Sequence, residues 1–402
     1  MAGRIVITAT GIISALGRGT GEQLQALTQK KAGLRHALHL KTKHAGEFLL
    51  GEVDYSNDEL SAILNLPQGD NGYTRTTLLA LAAMQELFEK TGVDIYTKGA
   101  FALINANTVG GMCSVEDMYL DFLAEKKEGP FLKYIDTLDC AESTLNIARY
   151  FNIKPFTATI STACSSSANA IILGSRMIQL GLVNKAICGG CDALSRFTLN
   201  GFNSLKNVDK EASRPFDQSR FGLNLGEGAG YLLLEKEEDA INRGADILAV
   251  LSGYANTNDA YHPTAPSPEG DGAYMTMQLA LDKAGLTAND LDYVNAHGTA
   301  TINNDAAEGK ALQRLFTDKQ PYFSSTKPFT GHTLAAAGSV EAIFSILALQ
   351  NNITLPNLNF TTPMPELQIQ PVTEAIRTNM QHVLSNSFGF GGNNVSLIFS
   401  RA

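Results

Sequence analysis

At 402 residues the chain can bury one large duplicated core or two ordinary domains, and 44% apolar with 18% charged residues is the composition of an ordered globular protein. A formal net charge of −9 argues against nucleic acid or an anionic membrane surface as the main partner. No apolar run approaches the roughly 20 residues of a membrane span, and five cysteines without a targeting segment point to reduced thiols in the cytoplasm.

The opening MAGRIVITATGIISALG is broken by Thr and Gly, and reads as a first strand over 4–8 and a turn rather than as a signal peptide. A helix over 73–91 follows, then a strand over 100–106. The charged run 125–128, ahead of Gly129 and Pro130, reads as a solvated loop. A strand over 157–162 leads into a helix over 165–180 that is apolar or small around most of its circumference, and so belongs in the interior. Further strands are expected at 185–189, 230–235, 247–254, 293–296, 322–326 and 394–400, with helices at 270–284, 306–316 and 334–350. This alternation is the pattern of an α/β fold.

Three pairs of segments repeat in the same order. ALINANTVGG (102–111) is similar to DYVNAHGTAT (292–301), and TATISTACSSSANAII (157–172) to PYFSSTKPFTGHTLAAAGSVEAI (321–343). KAICGGCDAL (185–194) and HVLSNSFGFGG (382–392) are both strands running into Gly-rich turns. Two copies of one α/β unit, over 1–245 and 246–402, account for the order. The two small-residue helices would then pack between two sheets.

Cys164 falls where the strand over 157–162 gives way to its helix. With Ser161 or Thr162 as N-cap it sits in the first turn, where the helix dipole lowers a thiol pKa and a backbone N–H can stabilise an oxyanion. A small buried hydrophobe would fit the same place. His297 and His332 occupy Gly-bounded turns at repeat-related strand ends, where catalytic and structural histidines both occur. His36, His39, His44 and His382 lack that setting, and His262 belongs to a loop over the site. Glu341, the one charge in helix 334–350, either reaches solvent or needs a cation, and Lys327 just before the helix is the nearest. Cys188 and Cys191 have zinc-like spacing but no second pair. The Gly-rich 385–394 lacks the Lys and following helix of a phosphate loop, and its two aromatics read as a mobile hydrophobic gate. No metal and no cofactor is expected.

TACSSSANA (162–170), SRPFDQSRFGLNLGEGAGYLLLE (213–235), NAHGTAT (295–301) with Asp305 and Glu308 downstream, SSTKPFTGHTLAAAGSVEAI (324–343) and NSFGFGGNN (386–394) together resemble the motif blocks of β-ketoacyl-acyl-carrier-protein synthases of the elongating Cys-His-His type. The resemblance runs from VITATGIISALG to the C-terminus. It implies a five-layer αβαβα thiolase fold, usually homodimeric, and a decarboxylative Claisen condensation. Cys164 would take the acyl chain from acyl carrier protein, while His297 and His332 would bind the malonyl thioester and stabilise its enolate. Lys327, paired with Glu341, would support the histidines, and Asp305 and Glu308 stand as supporting residues. The N–H groups of Cys164 and Phe390 would form the oxyanion hole, with Phe390, beside Phe388, gating the acyl site. Lys206 and Lys210 lie in the loop that docks the carrier protein in relatives.

The sequence departs from the family pattern at Asn393, where fatty-acid enzymes often have Thr, in CSSS after the nucleophile, and in a shortened segment between Phe202 and Ser213. Fatty-acid elongation leads; a polyketide or polyene ketosynthase is the alternative. A chain-length-factor subunit of the same fold, which usually lacks the nucleophile, a thiolase, which carries a second cysteine near the C-terminus, and a binding protein fit less well. Such a related subunit remains an alternative partner, in a heterodimer.

Overall fold

The structure, a computed structural model, describes residues 3–92, 96, 100–123, 128–367 and 369–402. Most of the charged run at 125–128 lies outside the described residues. In chain order the first half carries β1 (Ile5–Ser14), α1 (Arg75–Thr91), β2 (Phe101–Ala106), α2 (Cys140–Tyr150), β3 (Phe156–Ile160), α3 (Ser166–Gln179), β4 (Lys185–Asp192) and β5 (Gly228–Lys236). The second carries β6 (Ala249–Asn258), α4 (Asp271–Ala284), β7 (Tyr293–Asn295), α5 (Ile302–Leu315), β8 (Tyr322–Ser324), α6 (Ala337–Asn351), β9 (His382–Phe388) and β10 (Asn393–Ser400).

These strands order as β8-β7-β9-β10-β6-β1-β5-β4-β2-β3. Counted outward from the centre, each half therefore runs first, fifth, fourth, second, third. In each half the second strand lies parallel to the third and fourth, and the remaining pairings are antiparallel. The three similar segment pairs of the sequence thus occupy matching ranks. The expectation of two separate sheets needs one amendment, because Val6 pairs with Val250 and Ile7 with Ala249, joining the halves into one hydrogen-bonded sheet.

Helices α1 and α2 cover the outer face of the first half, α4 and α5 that of the second, and α3 and α6 lie between, giving five layers αβαβα. The small residues of the inner helices matter where they meet: a Cβ on Gly338 would fall 2.7 Å from the Ala168 backbone nitrogen. Leu334–Asn351 has the length and apolarity of a membrane span, at 18 residues, yet 89% of it is buried inside the fold. It is apolar all round because both sheet halves and α3 surround it.

Element boundaries differ from the sequence reading in places. β1 continues through Gly11 to Ser14, and α5 begins at Ile302 rather than 306, since Asn303, Asn304 and Asp305 in its first turn carry no apolar periodicity. The Cys188/Cys191 pair holds no metal-like geometry. Cys188 Sγ packs where a Cβ on Gly174 would lie 2.2 Å away, and Cys191 Sγ meets Asn105 and Asn107.

Candidate active site

The parallel strands β2, β3 and β4 end on one edge, where their loops meet the loops after β7 and β8 of the other half. Between β3 and α3 the chain turns sharply. Ala163 adopts φ +53, a left-handed conformation that costs an L-residue energy. The serines that follow Cys164 close this turn. Ser166 N–H and Oγ both donate to the Ala163 carbonyl (3.1 and 2.5 Å), Thr162 N–H donates to Ser166 Oγ (2.8 Å), and Ser165 Oγ donates to the Thr162 carbonyl (2.8 Å). Ser165, not Ser161 or Thr162, is the N-cap residue, so Cys164 stands just before the helix rather than in its first turn.

The expected lowering of the thiol pKa is not met. Cys164 is 6% exposed, and burial pushes its thiol up to about 11. Lys327 and the backbone N–H groups of Phe390 and Cys164, which face the sulfur, pull in the other direction. Those two N–H groups are the pair expected at the oxyanion position.

His297 leaves the end of β7 in a turn clamped by two carboxylates. Glu308 accepts from His297 N–H (2.9 Å), Gly298 N–H (2.8 Å) and Asn386 Nδ2 (3.1 Å). Asp305 accepts from Ala300 N–H (3.1 Å), whose φ is +67, and from Phe216 N–H (2.7 Å). Three residues apart on α5, both acids lie on one buried face. Burial pushes both up, Glu308 to about 7.

Lys327 is 2% exposed, and its ammonium has three neighbours: the His297 carbonyl at 2.6 Å, His297 Nδ1 at 3.3 Å and Glu341 Oε1 at 2.5 Å. An ammonium only donates, so His297 Nδ1 accepts and its proton sits on Nε2. His332 Nδ1 accepts from Leu334 N–H (3.0 Å), which fixes the same tautomer there. Burial first, and Lys327 second, hold both imidazoles well below the usual histidine pKa, so both are neutral. Their rings stand 5.5 Å apart at 85°, and one donor atom from each lies with Cys164 Sγ inside a 4.8 Å span.

That spacing would suit a metal held by a thiolate and two imidazoles. The tautomers oppose it: both Nε2 atoms carry protons, and both Nδ1 lone pairs are engaged. The arrangement presents two N–H donors beside a thiol, as a developing enolate oxygen requires.

A cavity of about 220 Å³ reaches Cys164, His297, His332, Phe388 and Phe390, and its exposed lining includes Lys206 and Phe221. Phe390 stacks on Phe202 at 5.5 Å, and its loop is pinned by Gly391 N–H to the Pro263 carbonyl (2.7 Å). Asn393 Oδ1 accepts from Asn169 Nδ2 (2.8 Å) and Asn256 Nδ2 (3.0 Å) and lies 2.7 Å from Ser165 Oγ, sharing that hydroxyl's one proton with the Thr162 carbonyl, which ties this loop to the nucleophile turn. Lys210 is not part of the cavity lining; its ammonium pairs with Glu47 at 2.9 Å on the surface. Asp192, which sequence reasoning passed over, reaches the turn after His332 through Ala335 N–H (2.9 Å). The sequence signal was there: a single acid closing the uncharged run AICGGCD.

The β-ketoacyl synthase N-terminal domain matches residues 2–240, and its C-terminal domain residues 248–361. A 3-oxoacyl-[acyl-carrier-protein] synthase 2 from Rhizobium meliloti (strain 1021) is 35% identical over 422 residues, covering 99% of each chain. The solved ishigamide ketosynthase/chain length factor is 29% identical and superposes over 100% of both chains with a TM-score of 0.93. The ketosynthase ApeO in complex with its chain length factor ApeC, from Xenorhabdus doucetiae, contains a chain 32% identical, with a TM-score of 0.86 over 100% of this chain and 98% of that one. Domain matches along most of its length, together with a full-length relative at 35% identity, establish that the chain belongs to the β-ketoacyl synthase family of thiolase-fold condensing enzymes.

Proposed function

We propose that this chain elongates fatty acyl groups by condensing an acyl group on Cys164 with malonyl-acyl carrier protein. The observation that carries this reading is the pairing of donors about the thiol: two neutral imidazole Nε2–H groups and two backbone N–H groups. Cys164 sulfur attacks the acyl thioester and expels the carrier thiol, which takes the cysteine proton that burial has retained. Malonyl thioester then loses CO2, and the electron pair it leaves becomes an enolate whose oxygen rests on His297 and His332. The enolate carbon attacks the acyl-cysteine carbonyl. The resulting oxyanion sits on the N–H groups of Cys164 and Phe390, and its collapse expels the Cys164 thiolate with the β-ketoacyl thioester. Lys327 and Glu341 hold His297, and Asp305 and Glu308 hold its turn.

Matching strand orders support two pseudo-repeated units, 1–245 and 246–402. The edge strand β3 and the exposed Phe156, Leu120 and Leu132 support a subunit interface, with a second copy or a related chain as the occupant. Five unpaired thiols support a cytoplasmic setting. Lys206, at the cavity, is the docking residue for the acidic carrier protein. A second reading, a polyketide or polyene ketosynthase, is supported by the superpositions on ketosynthases solved with chain length factors.

Incubation with acyl-acyl carrier protein followed by peptide mass spectrometry should place the acyl mass on Cys164, and none on Cys164→Ala. An acylated Cys164→Ala protein would refute the assignment. Condensation assays across saturated and polyenoyl carrier substrates separate the two readings.

A further inference from the structure

Asp192 closes β4 with 0% exposure, and its carboxylate meets hydrogen-bond donors from two distant turns. One oxygen accepts from the Thr108 and Val109 N–H groups (3.2 and 3.3 Å). The other accepts from Thr108 Oγ1 (2.5 Å) and Ala335 N–H (2.9 Å). Burial pushes the carboxyl up and these bonds pull it back, leaving it at about 6 and ionised at neutral pH.

The turn it reaches is strained. Leu334 has φ +54, a conformation uncommon for any side-chain-bearing residue and an outlier for a bulky one. Such strain persists only where the surroundings over-determine it. Three successive N–H groups do so here: Leu334 to His332 Nδ1 (3.0 Å), Ala335 to Asp192, and Ala336 to the Thr333 carbonyl (3.0 Å). Of these, only the Asp192 bond anchors the turn to another part of the protein. If the Ala335 peptide swings away, the Leu334 backbone relaxes and its N–H leaves His332 Nδ1. No other hydrogen bond among the described residues then keeps the His332 proton on Nε2.

We propose that Asp192 is a positioning residue that holds His332 as an Nε2–H donor by anchoring the strained turn at Leu334. The same carboxylate fixes the Thr108–Val109 turn of the nucleophile half, so one buried acid sets loops from both halves against each other. The role rests on the reading of His332 as an enolate donor.

The test combines ring-15N histidine spectroscopy with two partial reactions, acylation of Cys164 and decarboxylation of malonyl thioester. In wild type His332 should show the Nε2–H signature. In Asp192→Asn, whose amide turns a donor toward donors, the Nδ1–H form should appear and decarboxylation should fall about 10- to 100-fold, the scale of a charged hydrogen bond. Acylation should fall less than about 3-fold, within what a lost contact away from the sulfur allows. Asp192→Glu, which keeps the charge, should recover part of the loss. Thr108→Val removes one donor from the shared oxygen and should lower decarboxylation about 3- to 10-fold, less than losing the charge because Ala335 N–H still reaches that oxygen, even where Asp192→Asn does not accumulate as folded protein. An unchanged His332 signature in both variants, or equal loss in both partial reactions, would overturn the proposal. Normal decarboxylation by His332→Ala would instead refute the enolate role, leaving the tautomer measurement to decide on Asp192.

Discussion

Replacing Lys327 by alanine removes an ammonium whose three hydrogens are all engaged, and it leaves Glu341, 3% exposed, with neither oxygen partnered among the described residues. Stranding one member of a buried ion pair costs about 3–5 kcal/mol. Unfolding entropy near 2.1 cal/mol/K per residue gives about 0.8 kcal/mol/K for 402 residues, so Tm should fall by about 4–6 °C. The sign with pH follows from Glu341. Burial raises its pKa from the ordinary 4.5 to about 7 even with Lys327 present, and losing Lys327 raises it further. A carboxyl raised in the folded state binds more protons folded than unfolded, so stability falls as pH rises from the unfolded value through the folded one. Wild type and Lys327→Ala lose this stability together up to about pH 7, so the Tm deficit should widen above pH 7, toward pH 8. Adding Glu341→Gln should flatten that dependence and restore much of the Tm, while condensation stays lost because His297 Nδ1 has no donor. Differential scanning fluorimetry across pH 5–8 reads all of this. A single variant within about 1 °C of wild type at pH 8, or a deficit that shrinks as pH rises, would refute the buried-pair argument.

His297→Ala and His332→Ala should each lower malonyl decarboxylation about 10²- to 10³-fold, with the double variant little worse; radiolabelled CO2 release checks both. Because Cys164 is held up to about 11, its alkylation by iodoacetamide should keep rising about tenfold per pH unit beyond pH 9, and a plateau near pH 7 would mean a thiolate already formed. Lys206→Glu should raise KM for acyl carrier protein, weakening its salt dependence and sparing a small acyl-pantetheine substrate. Lys210→Glu, already paired with Glu47, should leave both substrates within about 2-fold, as a surface ion pair predicts.

The strands and their repeat, the buried helices and the Cys164, His297 and His332 turns were legible because each leaves a local mark: β-branched runs, small-residue periodicity, glycines at strand ends. The Lys327–Glu341 pair was legible for a different reason, since a lone acid in an apolar helix demands a cation within reach. What remained hidden depends on distant partners. Asp192 meets residues 84 and 143 positions away, and Lys210 meets Glu47, so neither could be judged from its neighbours in sequence. The cap of α3 was misplaced because Ser161, Thr162, Ser165 and Ser166 all have capping chemistry, and only the left-handed Ala163 decides among them. The thiol pKa was misjudged because helix placement alone ignores how completely the site is sealed.

Ala163, Ala300 and Leu334 share a property that reaches beyond this site. Each is a non-glycine residue in left-handed backbone, one to three positions from a reacting side chain. Each carries a penalty of about 1–2 kcal/mol that glycine would largely relieve, set against glycine's own entropy of about 0.5–1 kcal/mol. A library sorted for heat resistance alone should therefore drift toward glycine at 163 and 300, where no large side chain is lost. The clones it returns would melt later and turn over more slowly, because the relaxed turns no longer dictate where the thiol and the first imidazole point. Sorting the same library for product formation should keep alanine at both positions.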